Sequence, residues 1–137
     1  MESTNPSSIQ SFEDFFVFQE AMKLSVDVYN AMKECKDFGV RDQMRRSSLS
    51  IPSNFAEGFE RDTNREFIRF LYISKGSAGE LRTQVKFAMS VGILSNEQGE
   101  DFIQRCKHIS SMLQNLITTR RNKFLTNKLL ALLHFFF

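Results

Sequence analysis

A chain of 137 residues, 42% of them hydrophobic, suffices for one domain and excludes a second of ordinary size. Two prolines and six glycines beside many Glu, Lys, Arg, Leu and Met favour helix, and the absence of alternating apolar runs speaks against sheet. A formal net charge of +2 is far below that of most nucleic-acid modules.

Residues 1–11 are polar and open with an acid, so they read as a short disordered lead rather than a secretory signal. A single domain is expected over 12–122, followed by an extension over 123–137 whose structure the pattern leaves open. In the first helix Val17, Ala21, Leu24, Val28, Ala31 and Cys35 alternate spacings of four and three. Ser11 and Asp14 are placed to cap its start, and Gly39 is expected to end it near Asp37 in left-handed backbone.

The second helix is expected to begin near Val40. It carries one seam through Met44, Ser48, Ile51 and Phe55 and another through Leu49, Pro52, Ala56 and Phe59, a face wider than one partner needs. Pro52 removes a backbone donor, at a cost of about 3 kcal/mol or more. Because the seams keep register across it, one bent helix is expected, with two shorter helices as the alternative. Thr63 and Glu66 form a capping box for the third helix, whose stripe Phe67, Leu71, Ser74, Ala78, Leu81, Val85, Ala88 is the longest in the chain. A second stripe, Phe70, Ile73, Ser77, Glu80, Gln84, Phe87 and Val91, is apolar at its ends and polar in its middle. Gly92 closes this helix. Ser95 and Gln98 cap the fourth, which carries Phe102, Cys106, Ile109, Leu113 and Leu116.

Loops this short make successive helices antiparallel neighbours, so an all-α, up-down-up-down four-helix bundle is predicted. A turn centred on Asp62 and Thr63 pairs positions of the second and third helices whose numbers sum to about 125. Ser47, Ser48 and Ser50 then face Gly76, Ser77, Ala78 and Gly79. Glycine inside a helix costs about 1 kcal/mol relative to alanine, so Gly76 and Gly79 point to a close backbone approach. The same register puts Arg45 near Glu80 as an ion pair.

Together, Gln43, Arg45, Arg46, Ile51, Pro52, Ser53, Asn54, Ala56, Glu57, Gly58, then Phe67, Phe70, Leu71, Gly76, Ser77, Glu80, Leu81 and Gln84 resemble bacterial four-helix-bundle proteins encoded within intervening sequences of large-subunit ribosomal RNA genes. Phe12, Phe16, Val17, Phe18, Ala21, Leu24, Val28 and Tyr29 fit that family's opening helix, with Phe18 where a tryptophan is usual, and the likeness spans Phe12 to Arg121. It implies a homopentamer and kinship with the accessory variability determinant of diversity-generating retroelements, whose partners are nucleic acid and a reverse transcriptase; a cytoplasmic setting is expected instead from reading Cys35 and Cys106 as reduced thiols. Pro52, Asn54, Glu57, Gly58, Gly76, Ser77, Gly79 and Glu80 are then motif positions with structural or interface roles. The double seams of the second and third helices agree with assembly, because a lone bundle leaves one stripe wet.

Charge is uneven: after Asp101 there are six basic residues and no acidic one. A basic last helix with Arg120 and Arg121 could track a phosphate backbone, or could lie beside the acidic first helix and be neutralised. Arg41, Arg45 and Arg46, with Lys75, Arg82 and Lys86 at compatible levels, form a second candidate surface for RNA or DNA. Arg61, Arg65 and Arg69 mark the opposite end. The plainer reading pairs such arginines with Asp42, Glu57, Glu66 or Glu80.

Catalysis is not expected. Only His108 and His134 occur, neither three residues after a Glu, and no phosphate loop or nucleophile elbow is present, so no cofactor or metal is expected. Cys35 and Cys106 read as buried reduced thiols. The fifteen phenylalanines read as core or interface rather than a base-stacking platform. The nine-residue tail from Leu129 is too short to span a bilayer and no membrane partner is expected; packing along a subunit groove is favoured, with insertion into a partner or a non-native end of the coding sequence as alternatives. The reading is a non-enzymatic, oligomeric nucleic-acid adaptor, with a protein-interaction scaffold as the alternative.

Overall fold

The computed structural model describes residues 11–136, so the lead expected over 1–11 lies, Ser11 apart, outside the described residues, as does Phe137. After a 3-10 turn at Phe12–Asp14 come α1 (Phe16–Ala31), α2 (Phe38–Phe59), α3 (Asn64–Ser90) and α4 (Asn96–Phe136). Each helix packs on the next and α4 returns to α1, giving the predicted four-helix bundle with no strand among the described residues.

The caps fall mostly where the sequence places them. Ser11 and Asp14 form a reciprocal box, but it launches the 3-10 turn rather than α1. Thr63 Oγ1 accepts from the Glu66 amide at 3.1 Å, and Ser95 Oγ from that of Gln98 at 3.1 Å. Gly92, at φ +78°, closes α3.

The end of α1 corrects the expectation. The helix stops at Ala31, where the amides of Met32 and Lys33 turn back onto Val28 and Asn30. Gly39 is not left-handed. The Asp37 carboxylate accepts from the Val40 amide at 3.1 Å, so α2 starts at Phe38 and takes Gly39 into its first turn.

The core is the set of first seams. Val17, Ala21, Leu24 and Val28 of α1 meet Met44, Ile51 and Phe55 of α2, the whole α3 stripe from Phe67 to Ala88, and Phe102, Cys106, Ile109, Leu113 and Ile117 of α4. At one end the rings interlock edge to face: Phe55 lies 5.2 Å from Phe15 and 5.8 Å from Phe67 between centroids. The second seams are split: Pro52, Phe70 and Ser77 are buried, whereas Leu49, Ile73, Glu80, Phe87 and Val91 stand exposed. Pro52 is buried within one continuous α2. Around it Ser48 and Ser50 turn their hydroxyls onto the carbonyls of Arg45 and Arg46 at 3.0 and 2.8 Å.

Near the turn the α2–α3 register holds, with Ser74 Oγ donating to the Ile51 carbonyl at 2.7 Å, but farther out it drifts, and Ser47 Oγ donates to Gln84 Oε1 at 2.6 Å rather than facing Gly76 to Gly79. The close approach, however, is not at Gly76 or Gly79, where an added Cβ would meet nothing within 4 Å. It is at Gly58, where a Cβ would overlap Phe70 Cβ and stand 3.2 Å from Phe67 Cδ2. The aromatic end of α3 lies against α2 there, and only hydrogen fits between them.

Asn64 Nδ2 donates to the Arg120 carbonyl at 3.0 Å, which fixes where α4 passes the α2–α3 turn. From Arg121 to Phe135 every described side chain is exposed, so α4 runs on alone for roughly 24 Å at 1.5 Å per residue. The tail continues α4 instead of folding onto its own bundle. No helix among the described residues is long and apolar enough to cross a membrane.

Candidate nucleic-acid interface

The two small residues freed from the helix contact define a groove between α3 and α4. It encloses about 360 Å³ and is lined by Tyr72, Lys75, Gly76, Ala78, Gly79, Arg82, Cys106 and Ser110. A helix normally screens its backbone with side chains; here Gly76 and Gly79 leave the α3 backbone bare to anything that enters. Lys75 Nζ donates to Gln114 Oε1 of α4 at 2.7 Å, which holds the ammonium over the groove. Arg121 stacks its guanidinium 5.2 Å from the Tyr72 ring centroid at one end, and Arg82 stands roughly 15 Å along α3 at the other. No carboxylate is among the lining residues. Lys86, one turn beyond Arg82, extends the stripe.

Cys106 is the groove's buried wall. Burial pushes its thiol up to about 12, against the opposing pull of Arg82 and Arg105. The sulfur therefore stays neutral and adds no negative charge to the site. It is also a poor nucleophile, since the thiolate is the reactive form.

The remaining basic candidates lie elsewhere. Arg45 and Arg46 line a groove of about 410 Å³ between α1 and α2, with Met22, Ser25, Val26, Tyr29 and Leu49. The predicted Arg45 to Glu80 pair does not form. Arg45 instead donates to the Tyr29 carbonyl at 2.9 Å and lies 3.7 Å from the Tyr29 ring centroid, while Glu80 accepts from Gln84 Nε2. Arg41 is paired with Asp42 at 2.9 Å and stacked on Phe38. The structure thus separates Arg45 and Arg46, which line the α1–α2 groove, from Lys75 and Arg82, which line the α3–α4 groove, and Arg41 stays on α2 with Asp42 and Phe38.

At the turn end, Arg61 pairs with Glu57 at 2.8 Å and Arg69 with Glu66 at 3.2 Å, both guanidiniums resting on Phe70. Arg120 rests on Phe67. Arg105 bridges from α4 to Asp27 of α1 at 2.7 Å, the neutralisation expected between the basic and acidic helices. That leaves Arg120, Arg121, Lys123 and Lys128 near or beyond the bundle's end.

Motif positions of α2 serve local structure. Asn54 Nδ2 donates to the Ser50 carbonyl at 2.8 Å, and Ser77 of α3 returns its hydroxyl to Ile73. Among the described residues no three His, Cys, Asp or Glu gather as a metal site requires. Tyr72 and Ser110 were not among the candidates from sequence. The spacing Tyr72, Gly76, Gly79, Arg82 was a visible helical stripe, but glycine reads equally as contact or as opening.

A family model described as 23S rRNA-intervening sequence protein matches residues 13–115. No curated protein matches the sequence. Among solved structures, a protein of unknown function from the S23 ribosomal protein family of Bacteroides thetaiotaomicron is similar at 24% identity and a TM-score of 0.70, over 74% of this chain and 97% of that one. That likeness supports the bundle fold.

Proposed function

The chain belongs to the 23S rRNA-intervening sequence protein family, and on that premise we propose that it is a non-enzymatic, oligomeric adaptor that binds RNA along the α3–α4 groove. The observation that carries the reading is the cation-walled groove with a bare backbone floor. Lys75, Arg82 and Arg121 supply charge that phosphates seek, Tyr72 supplies an aromatic face, and Gly76 and Gly79 let a backbone approach closely. Filter binding of structured RNA at low salt tests it. Retention should fall steeply with salt, and Lys75→Ala with Arg82→Ala should weaken binding and reduce the salt slope by roughly one for each phosphate no longer neutralised. Retention no higher than that of a neutral control protein would remove the reading. Parallel titration with DNA of the same length decides which nucleic acid is preferred.

Assembly is the second part of the proposal. Met22, Val26, Tyr29 and Leu49 leave an apolar face at α1–α2, and Phe87 with Val40 borders a different groove of about 500 Å³ at α2–α3. Two unlike faces favour head-to-tail contacts, which close into rings, and a homopentamer is the ring that the family resemblance implies. Several copies would multiply a modest local charge through avidity. If mass in solution equals the 15.9 kDa of one chain, this part fails. The same faces support the other reading, a scaffold for a partner protein, if RNA is not retained.

A further inference from the structure

The part of α4 beyond the bundle has two zones. Nearest the bundle stand Arg120, Arg121, Lys123 and Lys128, with no acidic residue after Asp101. Beyond them Leu129, Leu130, Leu132, Leu133 and Phe135 are all exposed, Phe135 at 90%. At about 100° per residue these positions, with Ala131, point around the whole circumference of the helix, interrupted only by His134. A protein groove covers one side of a helix. A helical segment that is apolar on all sides calls for a surrounding medium.

We propose that this end of α4 inserts into one leaflet of an anionic lipid bilayer, with the basic zone at the headgroups. The lengths agree. Leu129–Phe136 rises about 12 Å, within the roughly 15 Å of hydrocarbon in one leaflet. Lys128 and Lys123 then fall at headgroup depth, where each basic side chain near an anionic surface strengthens binding about fivefold. The charge sign selects anionic over neutral lipid.

Sedimentation with vesicles tests the proposal on the full chain. Vesicles of phosphatidylcholine with phosphatidylglycerol should carry the protein down, and vesicles of phosphatidylcholine alone should bind far less. Lys123→Gln with Lys128→Gln should weaken binding about thirtyfold, and Leu132→Asp with Phe135→Asp should abolish it, with bundle melting unchanged because both pairs lie past the core. The chain has no tryptophan, so Leu132→Trp gives a single probe whose emission should shift blue, and be quenched by brominated acyl chains, only when anionic vesicles are present. Absence of binding, equal binding to both vesicle types, or a blue-shifted probe without lipid would each overturn the proposal, the last in favour of burial between copies.

Discussion

Arg45 holds Tyr29 twice, stacking 3.7 Å from its ring centroid and donating to its main-chain carbonyl at 2.9 Å. Tyr29 lies in the last turn of α1, where carbonyls lack partners within the helix and a cation is favoured. Arg45→Ala should lower stability by about 1–3 kcal/mol, and Arg45→Lys by nearly as much, because an ammonium cannot both stack and reach the carbonyl. Neither should change the salt slope of RNA binding. A shallower slope, measured alongside thermal melting, would place Arg45 on the nucleic acid instead.

Gly58 and the pair Gly76 and Gly79 should respond oppositely to the same substitution. Gly58→Ala drives a methyl into Phe70 and should destabilise by about 1–3 kcal/mol despite better helix propensity. Gly76→Ala and Gly79→Ala meet open space and should each stabilise by up to about 1 kcal/mol while weakening RNA retention. Melting temperatures that fall for all three would show that the α3 glycines sit in a contact after all.

Cys106 gives stability a pH dependence. Its thiol stays protonated up to about 12 in the folded chain, whereas an unfolded cysteine titrates near about 8.5. Between those values the unfolded chain has lost a proton that the folded chain keeps. The stabilisation is therefore complete below about pH 8.5 and is lost as pH rises toward 12. Melting temperature should fall more steeply from about pH 8.5 to 10.5 in the native chain than in Cys106→Ala, and equal slopes would contradict this. Iodoacetamide should modify half-buried Cys35 first and Cys106 only on unfolding.

Phe55 joins α2 to the N-cap of α1, to α1 itself and to α3 through ring contacts with Phe15, Phe18 and Phe67. Phe55→Ala should cost about 3–5 kcal/mol, on the order of 10–20 °C in melting temperature. A loss under about 1 kcal/mol in calorimetry would mean that the cluster repacks.

The bundle was legible because a long stripe such as Phe67 to Ala88 admits one solution, a helix with that face inward. The α2–α3 register followed from a single short turn. Where a residue type has two uses, reading failed. Gly39 serves a helix start as well as a stop, and the Asp37 carboxylate chose the start. Gly76 and Gly79 suit a tight contact or an open groove, and only the position of α2 separates these. Arg45 had an acid in register on α3, but α1 offered a ring and a bare carbonyl. The groove was half visible: Lys75, Arg82 and Arg121 were candidates, while Arg45 and Arg46 line a different groove and Arg41 is paired with Asp42.

The α2–α3 hairpin also carries an order of assembly. Phe55 and Phe67 are twelve residues apart, Ile51 and Ser74 twenty-three, Ser47 and Gln84 thirty-seven. Each longer loop closes at only a small added entropic cost once the shorter one has formed. The chain can therefore zip from the aromatic end outward, and contacts this local belong to proteins that fold in microseconds to milliseconds.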